Sequence, residues 1–273
     1  MDEQVDRLVK KTWAKFQEVP RSKRLMIAVS GIPGSGKIST FDMPCHTRLT
    51  VFPGKTTLAS VVASRLNDLH HEQFPGLAQN DESAAFVPMD GYHLSRAQLD
   101  AMPDPNTAHA RRGAAFTFDA PSFLVLVKKL RQPISPETKT LYAPSFDHAQ
   151  KDPVNDDIPI HPEARILIFE GNYLSLGTGA PEWKEAAELM DELWFVEVEE
   201  DVARERLVAR HIKAGIAKDE EEARKRADEN DLVNGREIVQ HRLSVHEVIK
   251  SKHDGSWKPE NQGMDAADVS REA

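Results

Sequence analysis

The feature that constrains this chain most is a glycine-rich turn that follows a short apolar run. Residues 25–29 are apolar, and residues 30–37 read Ser-Gly-Ile-Pro-Gly-Ser-Gly-Lys. A buried strand that ends in such a turn begins a P-loop, whose backbone N–H groups surround a phosphate while its lysine reaches the outer phosphoryl oxygens. The glycines allow positive φ angles and close backbone approach. Ser or Thr should follow Lys37 to hold Mg²⁺, but the next residue is Ile38.

The missing hydroxyl occurs further along the chain, where residues 54–57 read Gly-Lys-Thr-Thr before an apolar helical pattern. Removing residues 38–55 restores a complete G-x-x-x-x-G-K-[ST] motif. Removing residues 37–54 gives the same string, so Lys37 and Lys55 are equivalent candidates for the phosphate-binding lysine. We interpret the intervening text as a foreign insert, such as an intron read through in frame. The alternative is a genuine loop, but P-loop geometry needs the lysine and the hydroxyl on consecutive residues.

Composition narrows the class of protein. The chain has 273 residues, of which 40% are hydrophobic, and no apolar run approaches the ~20 residues that span a bilayer. Its start, Met-Asp-Glu-Gln, lacks the order of a secretory signal. The single cysteine, Cys45, excludes an internal disulfide framework, so we expect a reducing, cytoplasmic location. The net charge of −9 argues against general nucleic-acid binding. We expect neither a nucleic-acid nor a membrane partner, and a homodimer stays open.

Hydrophobic periodicity predicts strands that alternate with helices. The predicted strands are residues 24–30, 84–89, 165–171, 193–198 and, as a short last strand, 246–249. The predicted helices are residues 2–18, 56–69, 122–131, 201–214, 218–229 and 235–243, with an extended stretch at 142–148 and a polar turn at 230–234. This alternation predicts an α/β fold with a doubly wound parallel sheet, whose ligand site lies at the carboxyl ends of the strands.

Two of the predicted strands lead into a carboxylate. Asp90 follows strand 84–89, and Glu170 lies near the end of strand 165–171. Because the carboxyl ends of parallel strands face the ligand crevice, Asp90 is placed to accept a proton from a substrate hydroxyl. Glu170 is placed to orient the shell of a Mg²⁺ ion. The alternatives are that Asp90 caps a helix that begins near Ser95 and that Glu170 pairs with a lysine.

Arginines form a second group of candidate site residues. Arg111 and Arg112 stand beside a glycine, where two guanidinium groups either hold an anionic substrate or phosphate or form a solvated charged turn. Arg206 and Arg210 share a face of the helix after the fourth strand, where a mobile lid would close on nucleotide phosphates. Arg204 of the same helix is predicted to be structural, through pairs with acidic neighbours.

In chain order, these motifs resemble those of one family. They are the completed P-loop, MDGYH at 89–93, RRGAAFTFD at 111–119, YAPSFDH at 142–148, EGNYL at 170–174, RERLVARH at 204–211 and NDLVN at 230–234. The set resembles the phosphoribulokinase/uridine kinase superfamily, above all its uridine-kinase-like and fructose-transport-kinase-like branch, with type I pantothenate kinase further off. The resemblance extends over residues 24–250 apart from the suspected insert.

The resemblance implies a role for each candidate residue. Asp90 would be the catalytic base, with Glu170 and Lys37 completing the catalytic set. Mg²⁺ would be held by Thr56 and Glu170. The implied ATP-binding residues are Gly31, Ile32, Pro33, Gly34, Ser35, Gly36, Lys37, Lys55, Thr56, Thr57, Arg206 and Arg210. The implied acceptor-binding residues are His93, Arg111, Arg112, Tyr142 and His148, of which His148 is by sequence alone expected at the surface.

Three functions are open from sequence. The main expectation is a kinase that uses ATP and Mg²⁺ to phosphorylate a hydroxyl of a small metabolite, such as a nucleoside, a sugar or a pantothenate-like compound. The second is an acceptor-independent ATPase or nucleotide switch, although the sequence has no Asn-Lys-x-Asp guanine-reading motif. The third is a catalytically dead relic in which the insert abolishes nucleotide binding. The expected organisation is a helix in residues 1–23, a kinase domain over 24–250 with a lid at 200–230, and a disordered tail over 251–273.

Overall fold

The computed structural model describes residues 2–35, 54–76 and 82–251. Gly36, Lys37, residues 38–53 of the suspected insert and the predicted tail beyond residue 251 lie outside the described residues. Within the described ranges the chain forms a five-stranded sheet, a separate two-stranded hairpin and nine α-helices. None of the helices in these ranges has both the length and the apolar character needed to cross a membrane.

A parallel sheet forms the centre of the fold. Its strands are β1 (Leu25–Gly31), β2 (Ala84–Pro88), β5 (Ile166–Glu170), β6 (Glu192–Glu197) and β7 (Glu247–Lys250), in the order β2-β5-β1-β6-β7. Every pairing is parallel, and β1 and β5 are buried throughout, as expected for strands covered on both faces. The predicted doubly wound α/β fold is confirmed, and each predicted strand matches an observed one to within one residue at either end.

Helices cover both faces of the sheet. They are α1 (Asp2–Glu18), α2 (Lys55–Gln73), α3 (Arg96–Asp100), α4 (Pro105–Ala110), α5 (Ala120–Leu130), α6 (Pro181–Glu188), α7 (Glu200–Lys213), α8 (Glu220–Arg226) and α9 (Leu232–His241). Successive side chains of a strand point to opposite faces, so β1 contributes to two cores. Ile27 packs with α1 and α2 on one face. Met26 packs with α5, α6, α7 and α9 on the other.

Ion pairs fix helix α1 to the edge of the sheet. Lys11 Nζ lies 2.8 Å from a Glu192 oxygen and 2.9 Å from a Glu247 oxygen, and Lys15 Nζ lies 3.0 Å from Glu192. Arg7 Nη2 bonds Glu247 at 2.8 Å. The hydrogen bond from Arg7, opposed by partial burial and supported by Lys11, lowers the pKa of Glu247 to about 2. The ion pairs of Glu247 therefore stabilise the fold only while this carboxyl group is ionised.

A hairpin outside the main sheet was only half predicted. Its strands are β3 (Leu141–Asp147), which matches the predicted extended stretch, and β4 (Asp152–Ile160), which the sequence did not indicate. Two prolines and a run of exposed polar residues in β4 are typical of a loop, but antiparallel pairing with β3 overrides that preference. The hairpin packs closely on the turn after β2. A Cβ added at Gly91 of that turn would lie only 1.9 Å from the carbonyl oxygen of Pro144 in β3.

The predicted polar turn at 230–234 is wrong. Helix α8 continues through a π-type turn, Ala227–Asp231, directly into α9, which begins three residues before the predicted helix at 235–243. Asn230 and Asn234 are only 5% and 1% exposed. Asparagine usually breaks helices by bonding nearby backbone, but here both amides find partners in a distant segment.

Candidate active site

Strand register brings three predicted site positions to one edge of the sheet. Glu170, the last residue of β5, pairs with Val29 of β1 on one side and with Pro88 of β2 on the other. The glycine-rich turn begins just beyond Val29, and Asp90 lies just beyond Pro88. Neighbouring strands are ~4.8 Å apart, so Glu170 lies between the start of the glycine-rich turn and Asp90.

Two glycines of the turn stand where a side chain cannot fit. A Cβ at Gly31 would lie 2.7 Å from the carbonyl oxygen of Val196. Gly34 has a φ of +78°, and its Cβ would lie 2.6 Å from the carbonyl oxygen of Ala203 on α7. The third glycine, Gly36, lies outside the described residues. The turn is thus enclosed by the ends of β6 and α7, which holds its backbone close to the predicted phosphate site.

Lys55 and Thr56 are the first two residues of helix α2, and Lys55 contacts the glycine-rich turn. Helix α2 begins at Lys55, and its first turn contains no acidic residue, which suits an anion. Lys55 is 5% exposed, and its Nζ donates to the carbonyl oxygen of Ile32 and to Ser35 Oγ, both at 3.1 Å. The side chain therefore lies across the glycine-rich turn. Thr57 is half-buried in the same helical turn.

Thr56 joins this turn to the carboxylate at the end of β5. Its Oγ1 donates a hydrogen bond of 3.0 Å to Glu170 Oε2, and the Glu170 side chain is nearly buried. A hydroxyl and a carboxylate are hard oxygen ligands of the kind that Mg²⁺ takes from a protein, with phosphate and water oxygens completing its shell. The two predicted metal ligands are therefore brought together.

Asp90 lies in a single 3₁₀ turn, Met89–Tyr92, directly after β2. Its carbonyl oxygen is 3.1 Å from the backbone nitrogen of His93 and 2.8 Å from His93 Nδ1, so the histidine fixes the shape of the turn. The alternative that Asp90 caps the next helix is wrong. Helix α3 is capped by Ser95, whose side chain and that of Gln98 form a reciprocal capping box.

The rings of two phenylalanines contact the histidines of this region, and the sequence did not predict these contacts. The His93 ring lies 4.0 Å from the Phe118 ring and 4.9 Å from the Phe146 ring, between centroids. Phe146 also contacts the His148 ring at 5.2 Å. Tyr142, at the start of β3, is half exposed. Both phenylalanines belong to quoted motifs, but their spacing in the chain gives no signal of this contact.

Arg111 and Arg112 have different surroundings. Arg111 Nε donates to Asn230 Oδ1 at 2.9 Å, and its Nη2 donates to Asn234 Oδ1 at 2.6 Å. Arg112 Nη2 lies 3.0 Å from the carbonyl oxygen of Leu94 and 3.3 Å from Asp152 Oδ1. Burial lowers the pKa of Arg112, and Asp152 opposes this. The two asparagines are site residues that the sequence analysis did not identify individually.

The three arginines of α7 also differ. Arg204 pairs with Glu200, Asp201 and Asp228, in agreement with its predicted structural role. The other two are the predicted nucleotide contacts. Arg206 is buried, its Nη1 lies 3.4 Å from the carbonyl oxygen of Ser35 in the phosphate-binding turn, and burial lowers its pKa. Arg210 lies 3.7 Å from an oxygen of Asp231. Arg206 is thus at the P-loop, whereas Arg210 faces the π-type turn.

Comparison with named proteins gives several kinase relatives, although no protein-family model matches the chain. An ATP-dependent kinase-like protein of Aspergillus versicolor is 51% identical over 174 residues, which is 64% of this chain and 98% of that protein. A candidate uridine kinase of Schizosaccharomyces pombe is 41% identical over 212 residues, covering 78% of this chain and 77% of the relative. The ATP-dependent kinase YFH7 of Saccharomyces cerevisiae is 33% identical over 208 residues, 65% of this chain but only 58% of its own length.

Solved structures show the same fold. A candidate fructose transport system kinase from Silicibacter superposes with a TM-score of 0.68 at 29% identity, covering 89% of this chain and 98% of the other. The crystal structure of YFH7 from Saccharomyces cerevisiae, described as a P-loop kinase with a circular permutation, gives a TM-score of 0.73 at 22% identity. That match covers 92% of this chain and 99% of the other. At this identity the second likeness concerns the fold alone.

Proposed function

The chain belongs to the phosphoribulokinase/uridine kinase superfamily of P-loop kinases, and on that premise we propose that it transfers the γ-phosphoryl group of ATP to a hydroxyl group of a small metabolite. The observation that carries this proposal is the hydrogen bond from Thr56 to Glu170. It joins the end of the nucleotide-binding motif to a carboxylate that lies, by strand register, beside the turn of Asp90.

The nucleotide side of the reaction would be served by the turn after β1 and the start of α2. The N-terminus of α2 presents unsatisfied N–H groups and a positive dipole end to the phosphates. Lys55 would move its ammonium from the carbonyl oxygen of Ile32 to the β- and γ-phosphoryl oxygens. Arg206, next to Ser35, would add positive charge to the same side.

Asp90 would act on the acceptor. As the acceptor oxygen forms its bond to the γ-phosphorus and the bond to the β,γ-bridging oxygen breaks, the hydroxyl proton passes to an Asp90 carboxylate oxygen and ADP leaves. Asp90 is half-buried, and the two bonds from His93 to its backbone carbonyl fix the turn from which this carboxylate extends. Positioning of this kind supplies much of the rate in phosphoryl transfer.

Mg²⁺ would be held by Thr56 Oγ1 and Glu170 Oε2, which already lie 3.0 Å apart. When bound, the ion neutralises negative charge on the phosphoryl oxygens. The chain's own task is to present these two oxygens from the first turn of α2 and from the end of β5.

The test is a screen of hydroxyl-bearing metabolites with the full chain, with ADP formation measured by a coupled assay. Asp90→Asn should lower kcat by about 10²- to 10⁴-fold and leave the dissociation constant for Mg·ATP unchanged. Asp68→Asn, the same change at an exposed position of α2, is the matched control. Turnover that no acceptor increases would favour the ATPase or switch. No binding of Mg·ATP at millimolar concentration, either by the full chain or by a folded chain that lacks residues 38–55, would refute the kinase assignment.

A further inference from the structure

We propose that Asn230 and Asn234 position Arg111 as the cation that receives an anionic group of the acceptor. This inference rests on the proposed kinase function and narrows its substrate class. The acceptor is then a hydroxyl compound that also carries a carboxylate or a phosphate, rather than a neutral sugar or nucleoside. Asn230 and Asn234 are positioning residues, since they act through Arg111.

The two asparagines hold the guanidinium from one side. Asn230 Oδ1 accepts from Arg111 Nε, and Asn234 Oδ1 accepts from Arg111 Nη2. The amide nitrogens are engaged as well: Asn230 Nδ2 donates to the carbonyl oxygen of Arg112 at 3.2 Å, and Asn234 Nδ2 lies 3.4 Å from Asn230 Oδ1. A guanidinium has five N–H donors. Among residues 2–35, 54–76 and 82–251, two of these donors are used, and Arg111 is only half-buried, which leaves room for a ligand at its other N–H groups.

Burying two primary amides costs free energy unless both are hydrogen-bonded, and two apolar side chains at these positions would pack at least as well. The π-type turn, Ala227–Asp231, has one extra residue per turn, and turns of this kind are frequent at functional sites. Asn230 lies in this turn and Asn234 follows four residues later, a spacing that puts both side chains on one helical face, where both contact Arg111. This arrangement is explained if the amides serve to hold the arginine.

The anchors of Arg111 are neutral. In the described part of the chain its hydrogen-bond partners are the two amide oxygens, with no carboxylate among them. Three other arginines of this region pair with carboxylates instead: Arg112 with Asp152, Arg204 with three acidic residues, and Arg236 with Glu200. An amide fixes the geometry of a guanidinium and leaves its full positive charge to a ligand.

The position of Arg111 fits a contact with the acceptor. Its segment packs on the turn of Asp90, since Asp119 N donates to the carbonyl oxygen of Tyr92 at 2.7 Å and Leu94 N donates to Thr117 O at 2.9 Å. Tyr173 Oη, from the chain after β5, donates to the carbonyl oxygen of Gly113 at 2.6 Å. The segment that begins with Arg111 is therefore held against the turn that carries Asp90.

The decisive variant is Asn234→Asp. The aspartate keeps the oxygen that accepts from Arg111 and loses only the 3.4 Å contact from Nδ2 to Asn230 Oδ1, so the bond that anchors Arg111 is retained, whereas the new negative charge cancels the charge offered to a ligand. The probe is sulfate, titrated by calorimetry into the full chain saturated with Mg·AMPPNP, which fills the γ-phosphate position. We expect Asn234→Asp and Arg111→Gln to weaken sulfate binding by about tenfold or more, with Mg·AMPPNP affinity and Tm unchanged for Asn234→Asp. Asn155→Asp, the same change at an exposed position of β4, should bind sulfate as the wild type does.

Each other outcome is informative. Equal sulfate affinity in the wild type and Asn234→Asp, or no sulfate binding to the wild type, would overturn the proposal. Sulfate binding that occurs with Mg·ADP but not with Mg·AMPPNP would assign Arg111 to the transferred phosphoryl group and overturn the acceptor role. Failure of Mg·AMPPNP to bind both to the full chain and to a chain that lacks residues 38–55 would refute the proposed kinase function instead, and sulfate titration of the nucleotide-free chain and its Asn234→Asp variant would then decide the role of Arg111.

In the acceptor screen, glycerate should be preferred to glycerol and gluconate to glucose, with the preference lost in Arg111→Gln.

Discussion

The contact between α1 and β7 gives a stability prediction with a defined pH range. Glu247 is the carboxylate of that contact, and its pKa of about 2 lies well below the ordinary value of 4.5. A difference of this size corresponds to about 3 kcal/mol for a fully shielded group. The Arg7 side chain is half exposed, so solvent screening reduces the expected contribution to about 1–2 kcal/mol. Glu247→Gln should therefore lower the free energy of unfolding by that amount at pH 7.

The sign of the pH dependence follows from the lowered pKa. A carboxylate whose pKa is depressed in the folded state stabilises the protein above its unfolded pKa, and this stabilisation is lost as the pH falls through the folded value. Urea unfolding of the wild type and of Glu247→Gln should thus give a difference that is constant from pH 7 to about pH 5 and shrinks between about pH 4.5 and pH 2. Glu3→Gln, the same change at an exposed position of helix α1, is the control. A difference that is the same at pH 7 and pH 3 would refute the reasoning.

Three further predictions concern the nucleotide site. Gly34 and Gly179 both have a positive φ, but only at Gly34 would a Cβ meet another element. In urea unfolding, we expect Gly179→Ala to lose about 1 kcal/mol of stability and Gly34→Ala about 2–4 kcal/mol. Equal losses would contradict the crowding of Gly34 by α7. Thr56→Val should raise the Mg²⁺ concentration needed for half-maximal ATP turnover, whereas Thr178→Val, at an exposed position, should not. Deleting residues 36–53, which leaves the same polypeptide as deleting 38–55, should raise Mg·ATP affinity at least about tenfold, by calorimetry against the full chain; equal affinities would argue against the insert hypothesis.

The strands of the sheet were predictable because their signal is local. An apolar run such as that of β5 is explained by burial on both faces, whatever its neighbours are. The site carboxylates followed from the same rule, since Asp90 and Glu170 stand at the ends of such runs. Strand order was not predictable, and it is strand order that places Glu170 between β1 and β2.

The features that were missed depend on partners far away in the chain. The local sequence predicts a turn at Asn230, because asparagine disfavours helices. Its hydrogen-bond partner Arg111 lies 119 residues earlier, outside any local pattern. Strand β4 has a polar sequence that forms a strand only when β3 pairs with it. The ring contact of His93 with Phe146 likewise joins two motifs that are separated in sequence. Periodicity within a window of residues carries no signal of these contacts.

Helix α9 contacts both the glycine-rich turn and Arg111. A Cβ at Gly235 would lie 3.2 Å from the Cβ of Ile32, so α9 rests on the residue that follows β1. Asn234, the preceding residue, accepts a hydrogen bond from Arg111. Both contacts belong to adjacent residues of one helix, and a helix moves nearly as a rigid body over such a distance. A shift of α9 would therefore displace Arg111 and the packing on the P-loop together. Substitutions in α9 should accordingly change nucleotide and anion binding together when they alter its position, and anion binding alone when they alter only the charge next to Arg111.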